Sequence, residues 1–331
     1  TGTGEVGATV TLTSSIAGVV GTATVDGSGN WTITTPVLAD GAHSLTATQT
    51  DLAGNVSAAS AALVVTVDAT IAAPGGLDLN AASDLGSSNS DNITSDNTPT
   101  IDGTGEDGAT VTLTSSLGGV VGTTVVAGGV WSITASALAD GVHSLTATQT
   151  DVAGNVSSAS SALSVTVDTA VSAPAALDLT AATDTGTSNT DNLTKAAAPV
   201  ITGTGEIGAT VTLTSSVDGA IGTTAVVDGS GNWSITTALT EAVHTLTATQ
   251  TDVAGNVSGV SGSLSVTVDR TAPAAPSDPD LAAADDTGAS NSDNITSQTT
   301  GLTFSGTAEA NSTVSLFNDV NDNGVMDGAE S

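Results

Sequence analysis

The sequence predicts an all-β protein: a tandem array of β-sandwich units of about 100 residues that together form an elongated rod. Two observations support this prediction. The tetrad Gly-Thr-Gly-Glu ends at Glu5, Glu106 and Glu206, and a variant, Gly-Thr-Ala-Glu, ends at Glu309, so the motif recurs every 100 to 103 residues. Within each period, short runs that alternate Thr with Val, Leu or Ala are separated by turns rich in Gly and Asp.

The repeat divides the chain into four units. A second marker, Val-Asp at the end of an apolar run, falls at Asp68, Asp168 and Asp269 and closes the first three units. The predicted units are 1–70, 71–169, 170–270 and 271–331, with the first incomplete at its N-terminal side and the last at its C-terminal side. A period of about 100 residues with six or seven short strands is typical of an immunoglobulin-like sandwich.

Unit two illustrates the predicted strands in order. Alternating Thr and apolar residues, or β-branched and aromatic residues between turn signals, mark each of them. Gly128-Gly129 is a hairpin turn between two of these runs. No segment has a convincing helical period. The predicted strands cover 98–103, 109–114, 120–126, 131–134, 143–150 and 162–167.

Charge and composition exclude several functions. The chain has 34 Asp and Glu residues against two Lys and Arg, and its net charge of −32 opposes binding to nucleic acid or to anionic lipid. It contains no Cys, so no disulfide stabilises a unit, and bound metal is the obvious substitute. No apolar stretch is long enough to insert directly into a membrane.

One Trp and one His recur in each complete period. Trp31, Trp131 and Trp233 begin a strand, where a core position between the sheets is favoured over stacking on carbohydrate. His43, His143 and His244 follow a turn, and no repeated nucleophile or base accompanies them. A packing role is favoured over a metal or catalytic role, and we expect no enzyme activity.

Acidic residues carry the candidate chemistry. The segment 77–94 recurs as 177–194 and 279–296, and three Asp stand at matching positions among Gly, Ser and Asn in each copy. Hard oxygen donors on short side chains suit Ca²⁺, whereas zinc would need His or Cys. The alternative is a solvated acidic loop with Asx-turns. The predicted ligands are Asp78, Asp84, Asp91, Asp178, Asp184, Asp191, Asp280, Asp286 and Asp293.

Further acids are predicted to meet where successive units join. In a seven-strand sandwich we expect the turn of the Glu tetrad and the chain exit at one end, and the Asp-x-Ala-Gly-Asn loop at the other. Glu5 and Asp68 of unit one would then meet Asp151 of unit two. The segments 68–99 and 168–199 would be flexible tethers, and calcium that bridges Asp68, Asp84, Asp91 and Asp151 would tie the first tether to both neighbouring units. The predicted ligands at such junctions are Glu5, Glu106, Glu206, Asp68, Asp168, Asp269, Asp151 and Asp252.

A separate calcium motif lies near the C-terminus. Residues 319–330 fit D-x-[DN]-x-[DN]-G-x₅-E, the pattern of an EF-hand loop, but no flanking helices can be identified. The expected ligands are Asp319, Asn321, Asn323, the Val325 carbonyl, Asp327 and Glu330.

Several repeated motifs resemble the bacterial Ig-like repeats of giant type I-secreted and biofilm-associated adhesins. They include Gly-Thr-Gly-Glu-x-Gly-Ala-Thr-Val, Gly-Asn-Trp-Thr/Ser-Ile-Thr and Thr-Asp-x-Ala-Gly-Asn-Val-Ser. The resemblance implies an extracellular stalk on the bacterial surface, stiffened by Ca²⁺ between neighbouring repeats, while other domains bind host-surface or biofilm glycan or protein. The alternative is a repeated binding module in which each sandwich recognises glycan or a partner protein through its loops.

Overall fold

The computed structural model describes residues 1–226 and 229–318. Those residues form strands, turns and irregular segments without any helix, which confirms the predicted all-β class of tandem sandwich units. None of the described residues therefore belongs to a helix that could cross a membrane.

Unit two is the first complete sandwich. Its five-stranded sheet has the order β11-β10-β13-β14-β8, and its three-stranded sheet has the order β12-β9-β7. All neighbouring strands are antiparallel except β14 and β8, which are parallel. The strands are β7 (Gly75–Leu79), β8 (Ile93–Thr94), β9 (Thr100–Thr104), β10 (Thr110–Ser115), β11 (Gly119–Val125), β12 (Val130–Thr134), β13 (Gly141–Thr150) and β14 (Leu163–Val167).

Unit three repeats this arrangement strand for strand, with sheets β19-β18-β21-β22-β16 and β20-β17-β15. Its strands are β15 (Ala175–Leu179), β16 (Leu193–Thr194), β17 (Val200–Thr204), β18 (Thr210–Ser215), β19 (Gly219–Ala225), β20 (Asn232–Thr236), β21 (Ala242–Thr251) and β22 (Leu264–Val268).

The outer units contribute fewer strands. Unit one contains β1 (Gly2–Thr3), β2 (Thr9–Ser14), β3 (Gly18–Thr24), β4 (Asn30–Trp31), β5 (Gly41–Thr50) and β6 (Leu63–Val67). Within the described part of unit four, β23 (Asp280–Leu281) pairs with β24 (Phe304–Ser305).

The segment expected to tether units one and two is instead part of the unit-two sandwich. β7 pairs with β9, β8 pairs with β14, and Leu79 is only 4% exposed in the core of unit two. The stretch that links the two units is therefore the short run 69–74, and the flexible tether expected over 68–99 is wrong. The same correction applies to 168–199, because β15 and β16 occupy the equivalent places in unit three.

The cores explain two of the recurring motifs. Trp131 and Trp233 are buried between the sheets, which confirms the core position expected of them. The Trp131 ring lies against Gly103, where an added Cβ would come within 2.3 Å of it, so the first Gly of the Gly-Thr-Gly-Glu tetrad makes room for the indole.

The repeated His is also a packing residue. His143 is 1% exposed; its Nε2 donates to the Ala139 carbonyl at 2.8 Å, and its Nδ1 shares a hydrogen bond of 2.8 Å with the Ser115 hydroxyl. A carbonyl can only accept, so Nε2 carries a proton, and both ring nitrogens are used within the unit. His43 and His244 are bound in the same way, which confirms the packing role.

Strand register defines the two ends of unit two. Thr110 of β10 lies opposite Thr150 of β13, so the turn of Glu106 lies beside Asp151 at the end where the chain enters, here called the leading end. Gly141 of β13 lies opposite Val167 of β14, which places Asp168 at the other, trailing end.

The same register in unit one corrects the expected grouping of Glu5 with Asp68. Thr9 lies opposite Thr50, whereas Gly41 lies opposite Val67, so the Glu5 turn and Asp68 are at opposite ends of unit one. The expectation failed because the turn before β2 adjoins the end of its antiparallel partner β5, not the start.

Candidate metal sites at the unit junctions

Three carboxylates from two units meet between units one and two. Asp68 at the trailing end of unit one lies with Glu106 and Asp151 at the leading end of unit two, and one carboxylate oxygen from each lies within 4.8 Å of the others. We call these residues the first junction cluster. The pairing of Asp68 with Asp151 agrees with the expectation from the sequence, but the glutamate belongs to the following unit, Glu106 in place of Glu5.

Backbone and amide groups hold the first junction cluster in place. The Asp151 carboxylate accepts hydrogen bonds from the Gly154 and Asn155 backbone N–H at 2.7 and 2.8 Å. The Asn155 side chain donates both to Asp151, at 2.7 Å, and to the Asp68 carbonyl, at 3.0 Å. These hydrogen bonds, that of the Asn155 side chain foremost, lower the pKa of Asp151. Asp151 is therefore held as an anion at neutral pH.

A buried glutamine links the same turn to the chain that enters unit two. Gln149 is 2% exposed; its Oε1 accepts from the Glu106 backbone N–H at 3.0 Å, and its Nε2 donates to the Ala72 carbonyl at 2.8 Å. The Glu106 backbone and the linker between the units are thus fixed to one side chain. The repeat of this glutamine at Gln250 escaped the sequence argument, although its constant place before Asp-x-Ala-Gly-Asn was a usable signal.

A second junction cluster repeats the arrangement between units two and three. Its members are Asp168, Glu206 and Asp252, again with one carboxylate oxygen each within 4.8 Å of the others. Asn256 donates to Asp252 at 2.7 Å and to the Asp168 carbonyl at 2.8 Å. Burial raises the pKa of Glu206, and the charges of Asp168 and Asp252 raise it further. The cluster therefore carries unfavourable negative charge.

The acidic segment forms a loop directly after the first strand of units two, three and four. We call residues 80–92, 180–192 and 282–294 the acidic loops. In unit two, Thr94 of β8 lies beside Val167 of β14, so the loop that precedes β8 is at the end where the chain leaves. Asp84 and Asp91 therefore face the junction with unit three, and the expectation that they join Asp68 and Asp151 is wrong.

Each acidic loop buries one carboxylate. Asp84, Asp184 and Asp286 are only 3–4% exposed. In unit two, one oxygen of Asp84 accepts from the Asn92 backbone N–H at 3.3 Å, and its other oxygen, Oδ1, finds no hydrogen-bond partner among the described residues. The same holds for the corresponding oxygens of Asp184 and Asp286. Burial raises the pKa of Asp84, with smaller contributions from Asp91 and Asp78. A buried anionic oxygen without a donor is costly unless a cation meets it.

The other predicted acids of these loops are less confined. Asp91 accepts from the Ile93 backbone N–H at 3.1 Å, an Asx-turn, and Asp191 and Asp293 do the same in their loops. Asp78 lies on β7 opposite Asp102, and Asp178 lies on β15 opposite Thr202. Asp280 begins β23. The tight groups of three among the described residues are the two junction clusters alone, so the structure does not bring these acids to one common point.

Two further predicted ligands join no such group, and one predicted site cannot be compared with the structure. Glu5 and Asp269 join no cluster of three within residues 1–226 and 229–318. The EF-hand-like loop, 319–330, lies outside the described residues.

The arrangement suits a hard cation. Both junction clusters offer carboxylate oxygens alone, the donor type that Ca²⁺ prefers. The sequence contains no Lys or Arg before Lys195, so no basic side chain of units one and two can neutralise the first junction cluster. The residues at both junctions therefore fit a divalent cation that uses oxygen ligands.

The fold and these junctions define a class of protein: a tandem β-sandwich repeat protein with acidic contacts between repeats. The sequence profile of the bacterial Ig-like domain matches residues 1–69, 70–169, 170–270 and 272–330. The chain belongs to that family, as its repeated motifs indicated. No curated protein sequence matches it.

Several solved structures are similar to the chain. One is the BSP domain of a biofilm-associated protein, at 17% identity and a TM-score of 0.23; the match covers 70% of this chain and 43% of that structure, so the chain spans less than half of it. Another comes from a 1.5-MDa bacterial ice-binding adhesin, at 24% identity and a TM-score of 0.36, covering 80% of this chain and 87% of that one. At these scores the overlays say nothing about function.

Proposed function

We propose that this chain is a stalk segment of a large extracellular bacterial adhesin, stiffened by calcium at the junctions between its repeats and without catalytic activity. One observation carries the proposal: at the junction between units one and two, and again between units two and three, three carboxylates from the two units lie within 4.8 Å of one another. A stalk has to hold the angle between its domains, and the acids lie where that angle is set.

Each junction cluster would have two electrostatic states, one without a cation and one with Ca²⁺ bound. Without a cation, three carboxylates within this distance repel one another across the boundary between units. With Ca²⁺ bound, the same oxygens are drawn to one ion, and the two units are held together. Inter-domain contacts in tandem sandwiches are otherwise small, so the ion would contribute much of the stiffness.

The acidic loops support the same proposal. The partnerless, buried Oδ1 of Asp84 recurs in Asp184 and Asp286, and a cation at this oxygen would compensate the cost of burying it. Ca²⁺ accepts six to eight oxygens in flexible geometry, so water and backbone carbonyls can complete a site that begins with one buried carboxylate.

In this function the chain's direct partners are neighbouring repeats. Display at the bacterial surface, a role in biofilm, and binding of host or biofilm glycan or protein through other domains complete the proposal. The family membership supports it, because repeats of one kind joined end to end provide length and not a distinctive recognition surface.

Calorimetric titration with calcium tests the proposal on the intact chain. Glu106→Gln and Glu206→Gln each remove one negative ligand from a junction cluster without changing side-chain length. We expect each substitution to lower the calcium affinity of its own junction cluster about tenfold or more, because an amide contributes no negative charge to the ion's coordination shell. Glu5→Gln is the matched control, since Glu5 occupies the equivalent turn and joins no described cluster.

Thermal unfolding provides the second measurement. A ligand that binds only the native state at 100 times its Kd adds about 2.7 kcal/mol to the free energy of unfolding. Wild type should melt several degrees higher in millimolar calcium than in EGTA. Equal melting curves, together with calcium titrations in which Glu106→Gln and Glu206→Gln match Glu5→Gln, would refute calcium stiffening.

A further inference from the structure

Units two and three also touch through their backbones, beside the second junction cluster. The tip of the acidic loop of unit two, residues 85–88, lies against the Asp-x-Ala-Gly-Asn loop of unit three, residues 252–256. The Ser87 backbone N–H donates to the Val253 carbonyl at 3.0 Å. This hydrogen bond joins the backbones of two different units.

Two glycines permit the approach. A Cβ added to Gly86 would lie 2.2 Å from the Val253 carbonyl oxygen and 2.8 Å from the Ala254 carbonyl carbon. On the other side, a Cβ added to Gly255 would lie 3.0 Å from the Gly86 Cα. Both glycines therefore allow backbone to meet backbone at a separation that any side chain would prevent.

Burial of the contacted loop shows that the contact excludes water. Ala254 is 1% exposed and Val253 is half-buried. In unit two the equivalent Val152 is 89% exposed and Ala153 is exposed as well, since the sequence holds no acidic loop ahead of residues 80–92 that could lie against them. The two loops have almost the same sequence, so the difference in burial comes from the presence or absence of the tip.

We propose that the Gly86–Ser87 tip and the Val253–Gly255 loop form a metal-independent clasp that sets the angle between complete repeats. The partner that each tip fits is the Asp-x-Ala-Gly-Asn loop of the next copy of the repeat. The clasp goes beyond calcium binding, because backbone N–H, a carbonyl and small side chains make it. It would hold the junction whether or not the second junction cluster carries an ion.

The third unit supplies a matched control for this clasp. Gly186 occupies the same place in its acidic loop as Gly86, and both have positive φ, 146° and 125°. Among the residues that the structure describes, a Cβ added to Gly186 would meet nothing within 4 Å. Gly86→Ala and Gly186→Ala thus share the same kind of backbone cost, but only Gly86→Ala disturbs a neighbouring unit.

Distance measurement between spin labels tests the clasp. The chain has no Cys, so labels can be attached at Ser132→Cys and Ser234→Cys, exposed positions on β12 and β20 of the two units. In EGTA, Gly86→Ala should give a broader or displaced distance distribution than the same labelled chain without it. Gly186→Ala should leave the distribution unchanged.

The comparison also separates the clasp from calcium stiffening. A distribution that EGTA alone broadens, and that Gly86→Ala broadens further, supports both. A distribution that EGTA leaves unchanged but Gly86→Ala broadens retains the clasp and refutes calcium stiffening. If Gly86→Ala in EGTA matches the parent chain, or if Gly186→Ala has the same effect as Gly86→Ala, the clasp is refuted.

Discussion

Units two and three have the same eight strands in the same register, yet their acidic loops have different surroundings. The loop of unit two touches the Asp-x-Ala-Gly-Asn loop of unit three through Gly86, whereas the sequence holds no fourth copy of that motif, and no described residue lies within 4 Å of a Cβ added at Gly186. The two loops also share the buried aspartate, Asp84 and Asp184. The comparison teaches that burial of the aspartate comes from the fold of one unit, while the loop tip acts on the next.

Other differences between the two units are single residues at matched places. At the bulge of the first strand, unit two has Gly76 with a φ of 60°, and unit three has Ala176 with a φ of 53°. The register of both strands shifts at this point, so the backbone conformation belongs to the fold and not to the residue. Unit three therefore accepts an alanine where a left-handed conformation is required.

The largest effect should come from the buried aspartates. Asp84→Asn removes a charge that burial disfavours, so in EGTA it should stabilise unit two, by about 1–3 kcal/mol. In calcium it should instead destabilise unit two, because the ion loses its buried ligand. Hydrogen exchange of peptides from unit two, in EGTA and in calcium, measures both changes in stability. Asp184→Asn should produce the same reversal in unit three; a reversal confined to one unit would contradict the view that burial comes from each unit's own fold.

Exposed Asp91 is the control for this pair. Asp91→Asn keeps an oxygen that can accept from Ile93 and removes a charge that solvent already stabilises. It should change protection much less than Asp84→Asn in EGTA. Equal changes would show that the loop responds to its total charge and not to the buried oxygen.

An intermediate effect is expected at the bulge. Ala176→Gly should stabilise unit three by about 1 kcal/mol. A left-handed conformation costs an L-residue about 1–2 kcal/mol, and glycine avoids this cost. Part of the gain is lost because glycine has more conformational entropy in the unfolded chain. Gly76→Ala should destabilise unit two by a similar amount. Hydrogen exchange resolves the two units in one experiment, and changes of the same sign in both variants would contradict the explanation.

The smallest effect concerns pH. The folded pKa of Glu206 is raised above its ordinary value of 4.5, so ionised Glu206 destabilises the fold as pH rises through 4.5 and beyond. In EGTA, lowering the pH from 7 toward 5 should therefore raise the protection factors at the leading end of unit three, which correct the exchange rates for the intrinsic pH dependence of amide exchange. Screening of a partly exposed group keeps the gain under about 1 kcal/mol. Glu206→Gln should abolish this dependence; if it persists, another group causes it.

Local patterns in the sequence predicted most of unit two. Thr alternating with Val or Leu places Val111 and Leu113 on the buried face of β10, and the recurring Trp131 marks the core. The first two strands escaped prediction for physical reasons. β8 has two residues and pairs in parallel with β14, more than 70 positions away, so no local period marks it. The surrounding Ala, Gly, Ser and Asn are equally common in linkers.

The candidate sites were predicted in composition but not in grouping. Residue types identified the acids that cluster, including Asp151 and Asp168, because carboxylates repeated without basic neighbours indicate a cation. Which unit supplies the glutamate depends on which ends of β10 and β13 adjoin, and that is a matter of pairing across the sheet. The partnerless Oδ1 of Asp84 depends on three-dimensional burial, which no spacing in the sequence encodes.

The placement of the chain's entrance and exit at opposite ends of unit two has a mechanical consequence. Tension along the array would enter unit two through β7 and leave it through β14, both of which run roughly along the direction of pull. The hydrogen bonds that join β7 to β9, and β14 to β13 and β8, would then be loaded in shear and together, not one after another. Each sandwich is thus oriented so that tension acts parallel to its strands. In this direction all the hydrogen bonds between two paired strands must break together.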